Sequence, residues 1–105
     1  MGSKVKKVVK PAMPECVKRV HEAMVKNAST IGCGDDVYTG VQQFHHDGPY
    51  DEWAIGDNLE RLDGCIVYNV KKDQWFYREK WSGEDTLMKG GEQEAIANAE
   101  IFYTG

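Results

Sequence analysis

The chain has 105 residues, of which 41% are hydrophobic and 29% charged, and this ordinary globular composition predicts one domain with a core of its own. Its net charge of −4 is uneven: residues 1–26 carry seven basic side chains against two acidic ones, a net +5, whereas the remainder carries six against fifteen, a net −9. The acidic remainder disfavours a nucleic-acid phosphate backbone as partner, and the sequence has no run of about 20 apolar residues that would predict a membrane span.

Three widely spaced cysteines indicate a reducing environment. Cys16, Cys33 and Cys65 form an odd set without a CxxC pair, which excludes zinc-knuckle and thioredoxin-like motifs. A secreted domain of this size usually carries a dense, even set. No apolar segment of signal-peptide type follows Met1. We therefore expect free thiols and a cytoplasmic protein without a membrane contact.

The first ten residues intersperse lysines with Val5, Val8 and Val9. This pattern predicts either a basic tail or a short edge strand, on which lysines would discourage pairing with other sheets. A contact with nucleic acid through these lysines is the weakest of three functional hypotheses. A single α+β domain is expected over residues 11–105.

Apolar residues recur at helical spacing after Pro14, which suits the first turn of a helix. They predict an amphipathic helix over residues 15–29, and it is the clearest helix of the chain. The positions on its apolar face are Val17, Val20, Met24 and Ala28.

Two strands are predicted in the next part of the chain. Residues 37–44 alternate as a strand does, and the Asp-Gly-Pro sequence at 47–49 is a turn signal. A second strand beginning at Trp53 would return beside the first. An Asp-x-x-Glu arrangement at 57–60 then predicts a short capped helix.

The runs 65–70 and 74–81 are rich in β-branched and aromatic residues and predict a hairpin. A two-residue turn at 72–73 would place Tyr68 opposite Tyr77, and a four-residue loop is the alternative.

The remaining residues complete the predicted architecture. Residues 82–91 are expected to form a loop, 92–99 a short C-terminal helix, and 101–103 a last strand. The predicted fold is therefore α+β: an N-terminal amphipathic helix packed on a mainly antiparallel sheet of about four strands, with a central aromatic hairpin at 65–81.

A nucleophilic site would use Cys33 with His45 or His46 as the base, oriented by Asp47 or Asp51. The position of Cys33 argues against it, because the dipole at the end of the first helix raises a thiol pKa. This hypothesis belongs to the first alternative function, a small hydrolase or metal-using enzyme.

A second version of that enzyme pairs Glu52 with His46 and uses Arg78 to clamp an anion. A metal centre is disfavoured because adjacent histidines in a strand point to opposite faces, so that only one of them can serve a single metal. We expect no cofactor and no metal.

The aromatic hairpin supports the preferred function. Tyr68, Trp75, Tyr77 and Trp81 share one predicted face, and Arg78 flanks them. Packing in the core is one use for such a face, and recognition of a partner is the other, since Trp, Tyr and Arg dominate binding hot spots. The function we favour is a non-catalytic binding or regulatory module, with a protein partner preferred to a small ligand.

Overall fold

Two helices and five strands are present in the computed structural model, which describes residues 12–30, 41–49, 51–57 and 64–104, without the side chains of residues 41, 42 and 57. The predicted α+β class is confirmed, with five strands in place of about four. In chain order the elements are α1 (Glu15–Thr30), β1 (Val41–His46), β2 (Glu52–Asp57), β3 (Gly64–Asn69), β4 (Gln74–Glu79), β5 (Asp85–Met88) and α2 (Glu92–Glu100).

The five strands form one antiparallel meander in the order β1-β2-β3-β4-β5. The predicted pairing of the strand after the Asp-Gly-Pro turn with the strand before it is confirmed. The hairpin of β3 and β4 pairs Asn69 with Gln74 and Tyr68 with Trp75. Its connection is therefore the four-residue loop, and the pairing of Tyr68 with Tyr77 is wrong. The shift moves β4 by two residues, so each side chain keeps its predicted face.

Local side-chain bonds explain why the longer loop forms without an Asn-Gly turn. The Asn69 side-chain oxygen accepts the Lys72 backbone N–H at 2.9 Å, and the Tyr68 hydroxyl donates to the Asp73 carboxylate at 2.7 Å. Asp73 takes a positive φ of 53°, which aspartate tolerates better than most residues. These bonds select the register.

Helix α1 is confirmed within one residue of its predicted end, and it covers one face of the sheet. Val17, Val20 and Met24 are fully buried, at the spacing that the sequence pattern predicted. They pack against large side chains that alternate along the central strands. The sheet residues of this core are Trp53, Ile55, Ile66, Tyr68, Trp75 and Met88.

Helix α2 lies beside α1 on the same face, and Ala95 and Ala99 are its buried contacts. Small alanine side chains let the two helices approach closely. Arg19 of α1 forms an ion pair with Glu92 in the first turn of α2. The predicted helix at 92–99 is confirmed with one added residue.

Two predictions in the C-terminal quarter are wrong. Residues 85–88, expected to be loop, form β5 and pair with β4. Residues 101–103, expected to be a strand, form turns instead. The buried Asn27 of α1 explains this, because its side chain accepts the Tyr103 N–H at 2.7 Å and donates to the Thr104 hydroxyl at 3.2 Å. The C-terminal residues are thereby bound to α1.

Several predictions lie outside the described residues. They are the basic tail or edge strand at 1–10, the beginning of the first strand before residue 41, and the body of the short helix at 57–60. None of the helices in the described part of the chain is long and apolar enough to cross a membrane.

Candidate functional site

The two faces of the sheet differ in what covers them. The helix face, which carries Trp53, Ile66 and Trp75, is covered by α1 and α2. The opposite face, which we call the open face, has no helix packed on it within the described residues. Its side chains come from the alternate positions of the same strands, so the register assigns each paired strand residue to one face or the other.

The aromatic residues of the hairpin fall mainly on the helix face. Tyr68 is 8% exposed and Trp75 is 2% exposed, and their ring centroids are 4.8 Å apart. Tyr77 is half-buried and packs against the same core. A partner cannot reach Tyr68 or Trp75 without displacing the helices. Three of the predicted recognition residues, Tyr68, Trp75 and Tyr77, are thus part of the core or packed against it.

Trp81 and Arg78 occupy different surroundings. Trp81 follows β4, is 79% exposed, and has the Lys80 ammonium 5.1 Å from its ring centroid. Arg78 points to the open face, where it pairs across the strands with Cys65 and Asp85. The five predicted recognition residues therefore do not form one surface.

An apolar row crosses the open face from one side of the described sheet to the other. Consecutive partners in the register place one apolar residue of each strand side by side. Phe44 at one end is 45% exposed and Leu87 at the other is 39% exposed. The members of this apolar row are Phe44, Ala54, Val67, Phe76 and Leu87.

A charge network crosses the apolar row. The Arg78 guanidinium donates through Nη1 and Nη2 to both carboxylate oxygens of Glu52 at 2.9 Å. It also donates through Nε and Nη2 to Asp85 at 2.7 and 2.9 Å. These two carboxylates raise the Arg78 pKa above its ordinary value. Such two-pronged pairs are the strongest kind of ionic hydrogen bond, and here they join β2, β4 and β5.

The network explains an unusual burial. Val67 lies on the open face yet is 0% exposed. Glu52 and Arg78 come from the strands on either side of β3, so the bond between them passes over the Val67 position on the diagonal. An open groove of about 570 Å³ borders this network. Its lining residues are Glu52, Asn69, Lys72, Phe76, Arg78 and Asp85.

The residues of the enzyme hypothesis are separated by the sheet. His45 lies on the helix face, where its ring is 4.8 Å from that of Trp53, whereas His46 and Glu52 lie on the open face. The predicted opposite orientation of the two histidines is confirmed. Glu52 does meet Arg78, as the anion-clamp hypothesis required, but each of them is already bonded to the other. Cys33 lies outside the described residues.

His45 has acidic neighbours that the sequence hypothesis only partly anticipated. Its Nε2 lies 2.5 Å from the Asp51 carboxylate, and its Nδ1 lies 3.6 Å from Asp47. Both aspartates belong to the turn between β1 and β2, and Asp51 takes a positive φ of 48°. The sequence predicted the pairing of a histidine with Asp47 or Asp51, but it did not predict that this pair would lie on the opposite face of the sheet from His46 and Glu52.

The two described cysteines are free and lie on opposite sides of the sheet. Burial raises the pKa of the Cys65 thiol, which is on the open face near Arg78. Burial also raises the pKa of the Cys16 thiol in α1, although a hydrogen bond with Tyr68 opposes part of this rise. Neither thiol is an activated nucleophile, because the thiolate is the reactive form.

No protein-family model, curated protein or solved structure matches this chain.

Proposed function

We propose that the chain is a non-catalytic binding module whose open face recognises a partner protein. The observation that carries the proposal is the apolar row, which ends in two partly exposed large side chains, Phe44 and Leu87. These two ends lie on either side of a centre that the Glu52–Arg78 pair covers, and exposed apolar side chains with a polar border are typical of a protein contact.

The dimensions of the open face limit the size of the contact. Five strands spaced about 4.8 Å apart and roughly six residues long cover on the order of 400 Å². A standard protein interface buries about 800 Å² on each partner. The partner we propose is accordingly one short amphipathic segment of a protein, and not a whole domain surface.

Charge complementarity defines the polar side of that segment. The network on the open face contains two carboxylates, Glu52 and Asp85, for one guanidinium, Arg78. The chain after residue 26 also has nine more acidic than basic residues. A segment with basic residues beside its apolar ones would meet opposite charge at the border of the apolar row and speed encounter.

The open face does not favour the hydrolase alternative. An anion clamp needs donors directed at a substrate, whereas both Nη atoms and Nε of Arg78 already donate to carboxylates. A recognition surface needs no such free donor. The same network that removes Arg78 from catalysis gives the border of the apolar row a defined shape.

The test is a pair of surface substitutions with a matched control. Leu87→Ser and Phe44→Ser each remove apolar area from one end of the row, and Val25→Ser removes a similarly exposed apolar residue, 42% exposed, from α1. All three variants should stay folded, because polar replacement of a partly exposed residue usually changes stability by about 0.5 kcal/mol or less.

We expect the wild-type protein and the Val25 variant to bind the same partner protein, and the Phe44 and Leu87 variants to lose this binding. The bound segment, made as a synthetic peptide, should then shift amide signals of β1 and β5 in a ¹⁵N-labelled spectrum. Binding that persists in Leu87→Ser, or peptide shifts confined to α1 or α2, would contradict the proposal.

A further inference from the structure

The turn between β1 and β2 gathers three potential metal ligands that have no part in the open face. They are His45, Asp47 and Asp51, and one ligand atom of each lies within 4.8 Å of the ligand atoms of the other two. No other group of three or more such side chains meets this distance in the described part of the chain. The cluster extends from His45, near the end of β1, to Asp51, the residue immediately before β2.

The register explains why these three residues meet. His45 is on the helix face at the end of β1, opposite Trp53. The turn reverses the chain so that Asp51, two residues before Trp53, returns to the side of the imidazole. The positive φ of Asp51 belongs to this reversal. His46, although adjacent in sequence, is excluded because its side chain projects from the other face.

The chemistry of the donor set selects the class of cation. An imidazole nitrogen with two carboxylates is a ligand set for Zn²⁺ and similar first-row divalent ions. Ca²⁺ and Mg²⁺ prefer all-oxygen sites with more ligands. We infer that His45, Asp47 and Asp51 form a binding site for a divalent transition-metal ion such as Zn²⁺, with water completing its coordination.

The distances require little movement. Ligand atoms about 2.1 Å from a tetrahedral zinc ion lie about 3.4 Å apart. A metal ion is held by only one nitrogen of the His45 ring, and one ligand atom of each of the three residues lies within 4.8 Å of the other two. The 2.5 Å contact of Nε2 with Asp51 is a direct hydrogen bond, so for an ion at this nitrogen the Asp51 carboxylate must move away by roughly 1 Å, while the exposed Asp47 carboxylate moves towards the ion.

The three ligands differ in how firmly they are held: the imidazole is buried and fixed, whereas the exposed Asp47 carboxylate can move. The His45 side chain is 15% exposed and held against the Trp53 ring, whereas Asp47 is 92% exposed. Bound metal would therefore close the turn by drawing an exposed carboxylate onto a fixed imidazole. This effect is independent of the open face and of its partner.

The experiment is a titration of purified, chelator-treated full chain with Zn²⁺, followed by calorimetry and by tryptophan fluorescence, to which Trp53 beside His45 contributes. Wild-type protein should bind one ion, and Asp47→Asn should weaken binding by about tenfold or more, since loss of a ligand costs at least as much as loss of a residue that supports one. Asp51→Asn should do the same. His46→Gln, the adjacent histidine on the other face, is the matched control and should bind as wild type does.

Asp47→Asn is the decisive variant, because so exposed a side chain can be changed without unfolding the chain. Circular dichroism of each variant verifies the fold. A wild-type protein that binds no Zn²⁺ overturns the inference. Binding that survives both aspartate changes, or is lost in His46→Gln, places the ion elsewhere and also overturns it. Equal binding of Ca²⁺ would contradict the class of cation.

Discussion

The helix face and the open face use the same five strands, and both carry apolar residues at alternate positions. On the helix face, Ile55, Ile66 and Trp75 are buried by α1 and α2. On the open face, Val67 is buried equally well, yet an ionic network covers it in place of a helix. The comparison shows that burial in this protein has two sources: packing between layers, and charged side chains lying across their own sheet.

The two sources of burial differ in how much apolar surface they leave exposed to a partner. The two helices bury most of the apolar side chains on their side of the sheet, whereas the network covers the middle of the apolar row and leaves Phe44 and Leu87 partly exposed. A protein that needed only stability would gain more from apolar cover. The open face thus combines a stable centre with accessible apolar ends, which is the arrangement that the proposed binding function requires.

The largest expected effect is a loss of stability from a substitution on the helix face. Trp75→Ala should lower the free energy of unfolding by about 3–5 kcal/mol, because Trp75 is 2% exposed and contacts Tyr68 in the core. Urea denaturation measures the change. Trp81→Ala is the matched control, and at 79% exposure it should change stability by about 0.5 kcal/mol or less. Equal losses in the two variants would show that the helices do not cover the hairpin as described.

A smaller effect is expected from the open face. Arg78→Ala should cost about 1–2 kcal/mol, since it uncovers Val67 and leaves Glu52 and Asp85 without their shared partner. Urea denaturation of the variant gives the value.

A second substitution separates two roles of Arg78: its side chain covers Val67, and its charge pairs with two carboxylates. Arg78→Met keeps an apolar stem over Val67 but still leaves two carboxylates together. Adding Glu52→Gln and Asp85→Asn to it should recover most of the lost stability, because it removes the unpaired charges. If Arg78→Met alone is as stable as wild type and the triple variant gains nothing over it, charge has no part in the effect, and cover of Val67 is the whole contribution of Arg78.

Local patterns predicted the elements well and the contacts between them poorly. Helix α1 was predictable because Val17, Val20 and Met24 repeat at helical spacing, and the strands of the hairpin because of their β-branched and aromatic content. Strand β5 was missed because four residues, Asp-Thr-Leu-Met, are too short for an alternating pattern to stand out.

The contacts that shape the open face and the C-terminal turns join residues that are distant in sequence. Arg78 meets Glu52 across 26 positions of sequence, and Asn27 meets Tyr103 across 76. No local pattern contains either pair. Alternation assigned Tyr68, Trp75 and Tyr77 to one face correctly and Trp81, which lies beyond the end of β4, wrongly, but only the packing of the helices determines which face is covered. The sequence therefore predicted a binding module, but most of the residues predicted for its surface belong to the core.

The smallest expected effect concerns the ion pair on the covered side. Arg19 of α1 donates to Glu92 of α2, and this contact lowers the Glu92 pKa below its ordinary value of 4.5. A carboxylate with a lowered folded-state pKa stabilises the fold above its unfolded pKa and loses that contribution as the pH falls through the folded value. The stability difference between wild type and Glu92→Gln should therefore be present at pH 7 and vanish at acid pH.

Urea denaturation of both proteins across this pH range measures the difference. Because the pair is partly exposed to solvent, the effect should also shrink with added salt, in contrast to the loss in Trp75→Ala, which salt should not reduce. Glu15→Gln, which removes the more exposed pair of Glu15 with Lys18 within α1, is the control, and it should give a smaller difference at pH 7. A Glu92→Gln difference that is unchanged at acid pH would mean that Glu92 stabilises α2 without its charge. The hydrogen bond to Arg19 would then not be what joins the two helices over the sheet.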